Sequence, residues 1–288
     1  MAFLFYFEPM NYTCVNAKLF PADQPVLMAD NRGYRYGDGL FETMKLVNGT
    51  IQLSNFHFER LFASMELLKF DIPGLLNAEK LHQDIIQLCY KNKCEKLARI
   101  RLSVFRGNGG LNDGDKTPAY IIECWPLNES FNQLNENGLV IGIYPEAKKS
   151  CDIFSNLKSS NYLPYTMAAQ FAKENKWNDA IVLNQYGRVA DMSIANIFII
   201  KEDTVITPAL SEGGVKGVMR RYLVEQLRSV GYEVREEAIT VHDINHADEV
   251  FLTNAIFGIR WVKQFNDKIY PSVKTVKIFN QLIKTISA

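Results

Sequence analysis

Leu40-Phe41-Glu42-Thr43-Met44-Lys45-Leu46-Val47 is followed by Asn48-Gly49 and then by Ile51-Gln52-Leu53. The first run alternates like a half-buried strand, Asn-Gly supplies a tight turn, and the second run returns as the hairpin partner. Ser54 can then cap a helix whose apolar positions Phe58, Leu61, Phe62, Met65 and Leu68 recur at helical spacing. His57 and Arg60 share one flank of that helix. A hairpin running straight into an amphipathic helix puts helix and antiparallel sheet in one layer pair.

Working outward, a second helical stretch covers about 77–91, and Ala98 to Phe105 alternates again. There Arg99, Arg101 and Ser103 project from one face, while Ile100, Leu102 and Val104 project from the other. Arg106-Gly107-Asn108-Gly109-Gly110 cannot continue a regular strand, and Ala119 to Trp125 resumes one, closing a first domain at 1–125. The polar stretch 126–138 is the expected interdomain connection. A second domain, 139–288, opens on the strand Leu139 to Tyr144, followed by a helix over about 162–175 and short strands at 179–184 and 195–200. Strands and helices recur without strict alternation, so the fold class is α+β in two domains.

The composition, 47% hydrophobic and 22% charged over 288 residues, is that of a globular chain long enough for two cores. Lys+Arg and Asp+Glu balance at 32 each, so no global field holds a nucleic acid or an anionic membrane. Neither partner is expected. Cys14, Cys89, Cys94, Cys124 and Cys151 form no CxxC pair and leave one over, which predicts free, buried thiols in a reducing, cytoplasmic setting and no metal site. The apolar start, Met1 to Phe7, is too short to span a bilayer and lacks a basic leader, so no export signal is expected. Met10 is a candidate start codon, a hypothesis that a native mass spectrum showing Met1 or Ala2 at the terminus would rule out.

Three stretches carry chemistry. Gly213-Gly214-Val215-Lys216-Gly217-Val218-Met219-Arg220 leads into a helix, and a glycine-rich helix entry suits a phosphate, although a plain loop before a surface helix reads the same way. Lys158, in Asn156-Leu157-Lys158-Ser159-Ser160-Asn161-Tyr162, is either a solvated charge or a nucleophile. Asp191 lies in Gly187-Arg188-Val189-Ala190-Asp191-Met192-Ser193-Ile194-Ala195-Asn196-Ile197-Phe198 and reads by itself as a turn residue before an apolar strand.

The order RGYRYGDGLFET, HFERL, LKSSNY, GRVADMSIANIF, TP, GGVKGVMR, DEVFLTNAIFGI resembles the class IV, fold type IV pyridoxal 5′-phosphate (PLP) enzymes, over about residues 13 to 265. That family includes D-amino-acid aminotransferases, branched-chain aminotransferases and aminodeoxychorismate lyases. The resemblance implies PLP as cofactor and Lys158 as the catalytic lysine that holds it as a Schiff base and shuttles a proton. It implies Asp191 at the pyridine nitrogen, where the family usually has Glu, and Arg60 at the phosphate. The backbone of Val218 and Met219 would also face the phosphate, Met219 standing where Thr is usual, with Thr253 as a replacement hydroxyl. Tyr162 would reach the phenolic oxygen, against a role in packing at a helix start. The resemblance further implies a homodimer, with a loop around Arg32 to Tyr36 near the partner's site, and a small amino substrate met by Tyr36.

Branch assignment rests on fewer residues. YGDGLFET and the Lys-x-x-Asn spacing resemble the D-aminotransferase and lyase branches and disfavour branched-chain activity. The Arg-x-His trap of D-aminotransferases is missing at Gly110-Leu111-Asn112-Asp113, and Leu111 replaces the second arginine of the lyase loop. Arg99 and Arg101 remain as candidates for a substrate carboxylate, or as members of a cross-strand ion pair. Asn254-Ala255 resembles the lyases, so pyruvate elimination from 4-amino-4-deoxychorismate is the first reading and D-amino-acid transamination the alternative. A non-catalytic PLP-binding protein is the reading from outside enzymology.

Overall fold

The computed structural model describes residues 11–113 and 115–286; Met10 and the segment before it lie outside these, so the start-codon question is not a structural one. The chain divides into two compact units. One holds the described residues up to Glu129 together with Lys158–Asn161; the other holds Ser130–Leu157 and the chain from Tyr162 onward.

The first unit runs β1 (Tyr12–Val15), β2 (Lys18–Pro21), α1 (Arg32–Tyr36), β3 (Gly39–Val47), β4 (Thr50–Ile51), α2 (Ser54–Leu67), α3 (Ala78–Lys91), β5 (Leu97–Arg106) and β6 (Pro118–Pro126). Its sheet is ordered β2-β1-β6-β5-β3-β4 and every pairing is antiparallel. The β3–β4 turn uses Asn48 at φ 48° and Gly49 at φ 76°, the left-handed pair that Asn-Gly supplies at least cost. Ser54 does not cap α2. The cap position is Leu53 at φ 53°, without a side-chain bond, and Ser54 is the first helical residue. Packing of Phe58, Leu61 and Met65, all buried, against the sheet replaces the missing cap.

One local pairing matters for the site. Phe41 N–H donates to Lys158 O at 2.9 Å and Ser160 N–H to Gly39 O at 2.9 Å, so Lys158–Asn161 forms a short antiparallel rung on the free end of β3. The sequence division had put this segment with the second domain. Backbone pairing to β3, which carries no periodicity signal in four residues, puts it with the first.

The second unit runs β7 (Leu139–Lys149), α4 (Leu163–Glu174), β8 (Asp179–Asn184), β9 (Val189–Met192), β10 (Asn196–Lys201), β11 (Thr204–Pro208), α5 (Val218–Ser229), β12 (Glu233–Glu237), α6 (Val241–Asn245), β13 (Glu249–Asn254), β14 (Gly258–Phe265), β15 (Lys268–Ile269) and α7 (Val273–Ile278). The mixed sheet is ordered β12-β11-β10-β13-β14-β7-β8-β9, with β15 on β14. Its core is built by Ile141, Ile181, Ile197, Ile199, Val250, Leu252 and Val262, all at most 1% exposed. That burial, worth roughly 2 kcal/mol per large aliphatic side chain, fixes β8–β9 and β10–β13 rigidly enough to hold polar groups between them.

Candidate active site

In the first unit, two side chains, Arg60 and His57, converge on Glu42 of β3. Arg60 donates from Nε to Oε1 at 2.8 Å and from Nη2 to Oε2 at 2.5 Å, and His57 Nδ1 lies 2.6 Å from Oε2. Glu42 and His57 are 1% and 0% exposed. Burial pushes the Glu42 carboxyl up, but the Arg60 charge and the His57 and Arg60 hydrogen bonds hold it down at about 2. Burial pushes His57 down despite Glu42 beside it. The pair is therefore an ionised carboxylate and a neutral imidazole whose Nδ1 carries the proton, since a carboxylate only accepts. His57 and Arg60 meet one partner because they lie three residues apart on α2.

On the same sheet, Phe41 gathers two cations. The Arg101 guanidinium lies 4.0 Å from its ring centroid and Lys158 Nζ lies 4.5 Å from it. A desolvated cation over an aromatic face is held by the ring quadrupole. The rung on β3 places Lys158 there, and the β3–β5 register places Arg101 there, through Thr43 opposite it. Arg99, two residues earlier on the same face, stacks instead on Trp125 at 5.5 Å. Tyr36 ends α1 and is 46% exposed.

In the second unit, Asp191 sits on β9, not in a turn, and is 3% exposed. Its Oδ1 accepts Asn196 Nδ2 at 3.0 Å, and its Oδ2 accepts Val215 N–H at 2.9 Å and the Tyr165 hydroxyl at 3.3 Å. Lys149 Nζ donates to the Tyr165 oxygen at 2.6 Å and to Ser155 O at 2.9 Å. Burial lowers the Lys149 pKa, opposed by the Asp191 charge, and burial followed by Asp191 raises Tyr165 well above the ordinary phenol range. Lys149, Tyr165 and Asn196 were not singled out from sequence; only Asn196, five residues after Asp191 on the next strand, left a signal there.

The glycine-bearing loop 213–217 leads into α5, whose cap residue Gly217 makes no side-chain capping bond. The backbone N–H groups of Val218 and Met219 therefore open the helix with no side-chain acceptor at the cap. A Cβ at Gly217 would collide with the Asn196 carboxamide, and one at Gly214 with the Ala190 carbonyl. These glycines let the loop close directly on β9 and β10. Asn156 holds it from the other side, Nδ2 donating to Leu210 O at 2.8 Å and Gly214 O at 2.6 Å.

Tyr162 is the cap residue of α4, stacks on Tyr165 at 4.5 Å and donates to Ser193 O at 3.3 Å. Thr253 lies on β13 with its hydroxyl donating to Gly258 O at 2.7 Å inside the β13–β14 hairpin, and it is 0% exposed. Asn254 is fixed beside it, Oδ1 accepting the N–H groups of Ile256 and Phe257 at 2.9 and 3.1 Å, with Ala255 in the turn it closes.

Residues 39–265 match the model of the family described as amino-transferase class IV. The chain belongs to the class IV aminotransferase family. It is 28% identical over 233 residues to an aminodeoxychorismate lyase of Vibrio harveyi, covering 80% of this chain and 83% of the relative. It is 28% identical over 270 residues to a putative branched-chain-amino-acid aminotransferase of Methanocaldococcus jannaschii, covering 93% and 92%, and 28% identical over 253 residues to a D-alanine aminotransferase of Listeria monocytogenes, covering 85% and 84%. The fold is that of a branched-chain aminotransferase from Thermoproteus uzoniensis, with a TM-score of 0.88 at 22% identity over 97% and 95% of the chains. Class IV enzymes are PLP-dependent, and this chain is one of them.

Its residues fit the cofactor. A helix N-terminus without a side-chain cap, reached through glycines, suits a phosphate. A buried carboxylate held by an amide, a backbone N–H and a phenol suits a protonated ring nitrogen. No described helix is long and apolar enough to cross a membrane.

Proposed function

We propose that the protein is a 4-amino-4-deoxychorismate lyase, forming pyruvate and 4-aminobenzoate for folate synthesis. The observation that carries the choice is the Asn254-Ala255 turn, which resembles that of lyases and is held rigid by the three hydrogen bonds of Asn254, to Ile194, Ile256 and Phe257. The match to the Vibrio harveyi lyase, over 80% of this chain, supports it.

When bound, PLP supplies an electron sink conjugated to the substrate amine. Lys158 Nζ would hold the cofactor, and the same amine would take a proton from the substrate carbon. Removal of that proton would let the enolpyruvyl C–O bond break to leave an aromatic ring, and a proton delivered to the methylene carbon of the departing enolpyruvate would give pyruvate. Asp191 would hold the ring nitrogen protonated, the Val218 and Met219 N–H groups and Arg60 would meet the phosphate, and Tyr162 would meet the phenolic oxygen. Arg101, sharing the Phe41 ring with Lys158, would orient a substrate carboxylate near that amine, with Arg99, stacked on Trp125, adding charge behind it and Tyr36 meeting the substrate.

The second reading, D-amino-acid transamination, is favoured by the Lys158-x-x-Asn161 spacing and the Listeria relative. Against it, the loop that would carry an Arg-x-His trap presents Leu111 at 68% exposure. Pyruvate released from 4-amino-4-deoxychorismate without any added oxo acid supports the lyase. Turnover of D-alanine with 2-oxoglutarate and none of the first substrate transfers the assignment to the transaminase, and full turnover by Lys158→Ala removes both.

The same reading includes a cytoplasmic homodimer. Met28, Tyr34 and Tyr36 are 68%, 77% and 46% exposed around α1, an apolar group suited to burial against a second copy. Light scattering should give twice the 32.9 kDa monomer mass; a monomer at working concentration ends that part.

A further inference from the structure

Away from these residues, Cys89, Cys94 and Cys124 bring three buried sulfurs together. Cys89 lies in the last turn of α3, Cys94 in the turn that follows, and Cys124 on β6. All three sulfurs lie within 4.8 Å of one another, and Cys94 Sγ is 3.4 Å from Cys124 Sγ. Metal–sulfur bonds of about 2.3 Å in a trigonal plane separate the sulfurs by roughly 4.0 Å, a spacing this cluster reaches with small rotamer adjustments.

Asn92 is placed as the outer partner of such a site. It exchanges hydrogen bonds with the Tyr12 backbone at 3.0 and 2.9 Å, and its Nδ2 donates to Cys124 Sγ at 3.2 Å. N–H groups aimed at a ligating sulfur orient it and stabilise its charge. Cys94 Sγ already donates toward Cys124 Sγ at 3.4 Å, so the sulfurs face one another across the site. The cluster lies one residue beneath the surface, because Lys93 between Asn92 and Cys94 is exposed.

We propose that Cys89, Cys94 and Cys124 bind one soft monovalent cation, copper(I), in three-coordinate thiolate geometry. Among the described residues the group contains only sulfur ligands, which selects a soft ion, and no fourth ligand such as a tetrahedral zinc site demands. Three S–H bonds exchange for three S–Cu bonds, with the protons going to solvent and no change in oxidation state. The expectation from sequence, small apolar residues and no metal, predicts no uptake.

The test uses the full-length, reduced protein under anaerobic conditions, with copper(I) offered from a chromophoric chelator. Uptake of one equivalent per chain is expected, with Cys124→Ser and Cys94→Ser each weakening it by at least about tenfold and Cys151→Ser leaving it unchanged. The melting temperature should rise with copper(I) in the parent protein and not in the serine variants, a reading taken only from variants whose circular dichroism matches the parent. Absence of stoichiometric uptake overturns the proposal. So does uptake that neither Cys124→Ser nor Cys94→Ser weakens, or that Cys151→Ser weakens as much.

Discussion

Asp191 Oδ2 accepts the backbone N–H of Val215 at 2.9 Å, which ties the strand β9 to the glycine-bearing loop ahead of α5. Asn196 closes the triangle, its Nδ2 donating both to Asp191 Oδ1 at 3.0 Å and to Val215 O at 2.9 Å. The acid proposed for the ring nitrogen and the helix end proposed for the phosphate are therefore one rigid body. A shorter acid at this position is built into its surroundings, because each donor is placed for an aspartate.

Asp191→Asn should then lose more than charge. Whichever way the amide turns, its NH2 faces a donor, either Asn196 Nδ2 or Val215 N–H. Turnover should fall by roughly 10²-fold or more at saturating PLP, the scale for removing a group that stabilises developing charge. Asp191→Glu, which restores the common family residue, should cost about 1–3 kcal/mol by overpacking. Steady-state kinetics and thermal melting check both; a Glu variant as stable and active as the parent would show that the triangle does not set the reach.

Asp179 gives a pH signature of one sign. Burial raises its carboxyl to about 6 from 3.8, opposed by bonds from Ser193 and the Ala180 N–H. An acid whose folded pKa is raised stabilises fully below its unfolded value, and that contribution is lost as pH rises from about 4 to about 6, on the order of 3 kcal/mol. All three of its donors bond Oδ1, at 2.5 to 3.0 Å, so Asn can keep every one. Asp179→Asn should gain on the parent by about that amount between pH 4 and neutrality in paired urea titrations. The difference is the quantity to measure, because His57, lowered by burial, contributes to the pH dependence of both proteins with the opposite sign. A difference independent of pH would refute the assignment.

Glu42 acts in the other direction and at lower pH. Its carboxyl is held at about 2, below 4.5, so its contribution is complete above 4.5 and is lost as pH falls through 2. Glu42→Gln leaves the Arg60 guanidinium beside a neutral amide and should destabilise by roughly 3–5 kcal/mol near neutrality. It should also flatten the acid limb of the stability curve relative to the parent. Equal steepness in both proteins would mean that Glu42 is not ionised in the folded state.

Much of this was legible before the fold was known, and for identifiable reasons. The Asn48-Gly49 hairpin, the α2 face carrying His57 and Arg60, and the β5 face carrying Arg99 and Arg101 follow from side-chain periodicity, which is local. What escaped was set by pairing between distant segments. Four residues at Lys158 join β3 through backbone bonds that any sequence could make, and Asp191 reads as a turn residue until β8 pairs with it. Lys149 and Tyr165 reach Asp191 only through the sheet and helix that carry them.

Arg101 and Arg99 separate binding from chemistry. Arg101 stacks on the ring that Lys158 also faces, whereas Arg99 stacks on Trp125, and burial followed by the Arg101 charge lowers the Arg99 pKa. Arg101→Lys keeps the charge and loses the planar fork, which removes one of two parallel bonds to a carboxylate. A charge-assisted bond of about 1.5–3 kcal/mol corresponds to KM rising roughly 10- to 100-fold, with kcat changed far less. Arg99→Lys should move KM by less than about threefold, because stacking, not a bidentate bond, is what it loses. Measured on 4-amino-4-deoxychorismate, a fall in kcat at unchanged KM for Arg101→Lys would place that guanidinium at the reacting bond instead of the substrate carboxylate. Equal effects at the two positions would mean that the shared Phe41 ring does not distinguish them.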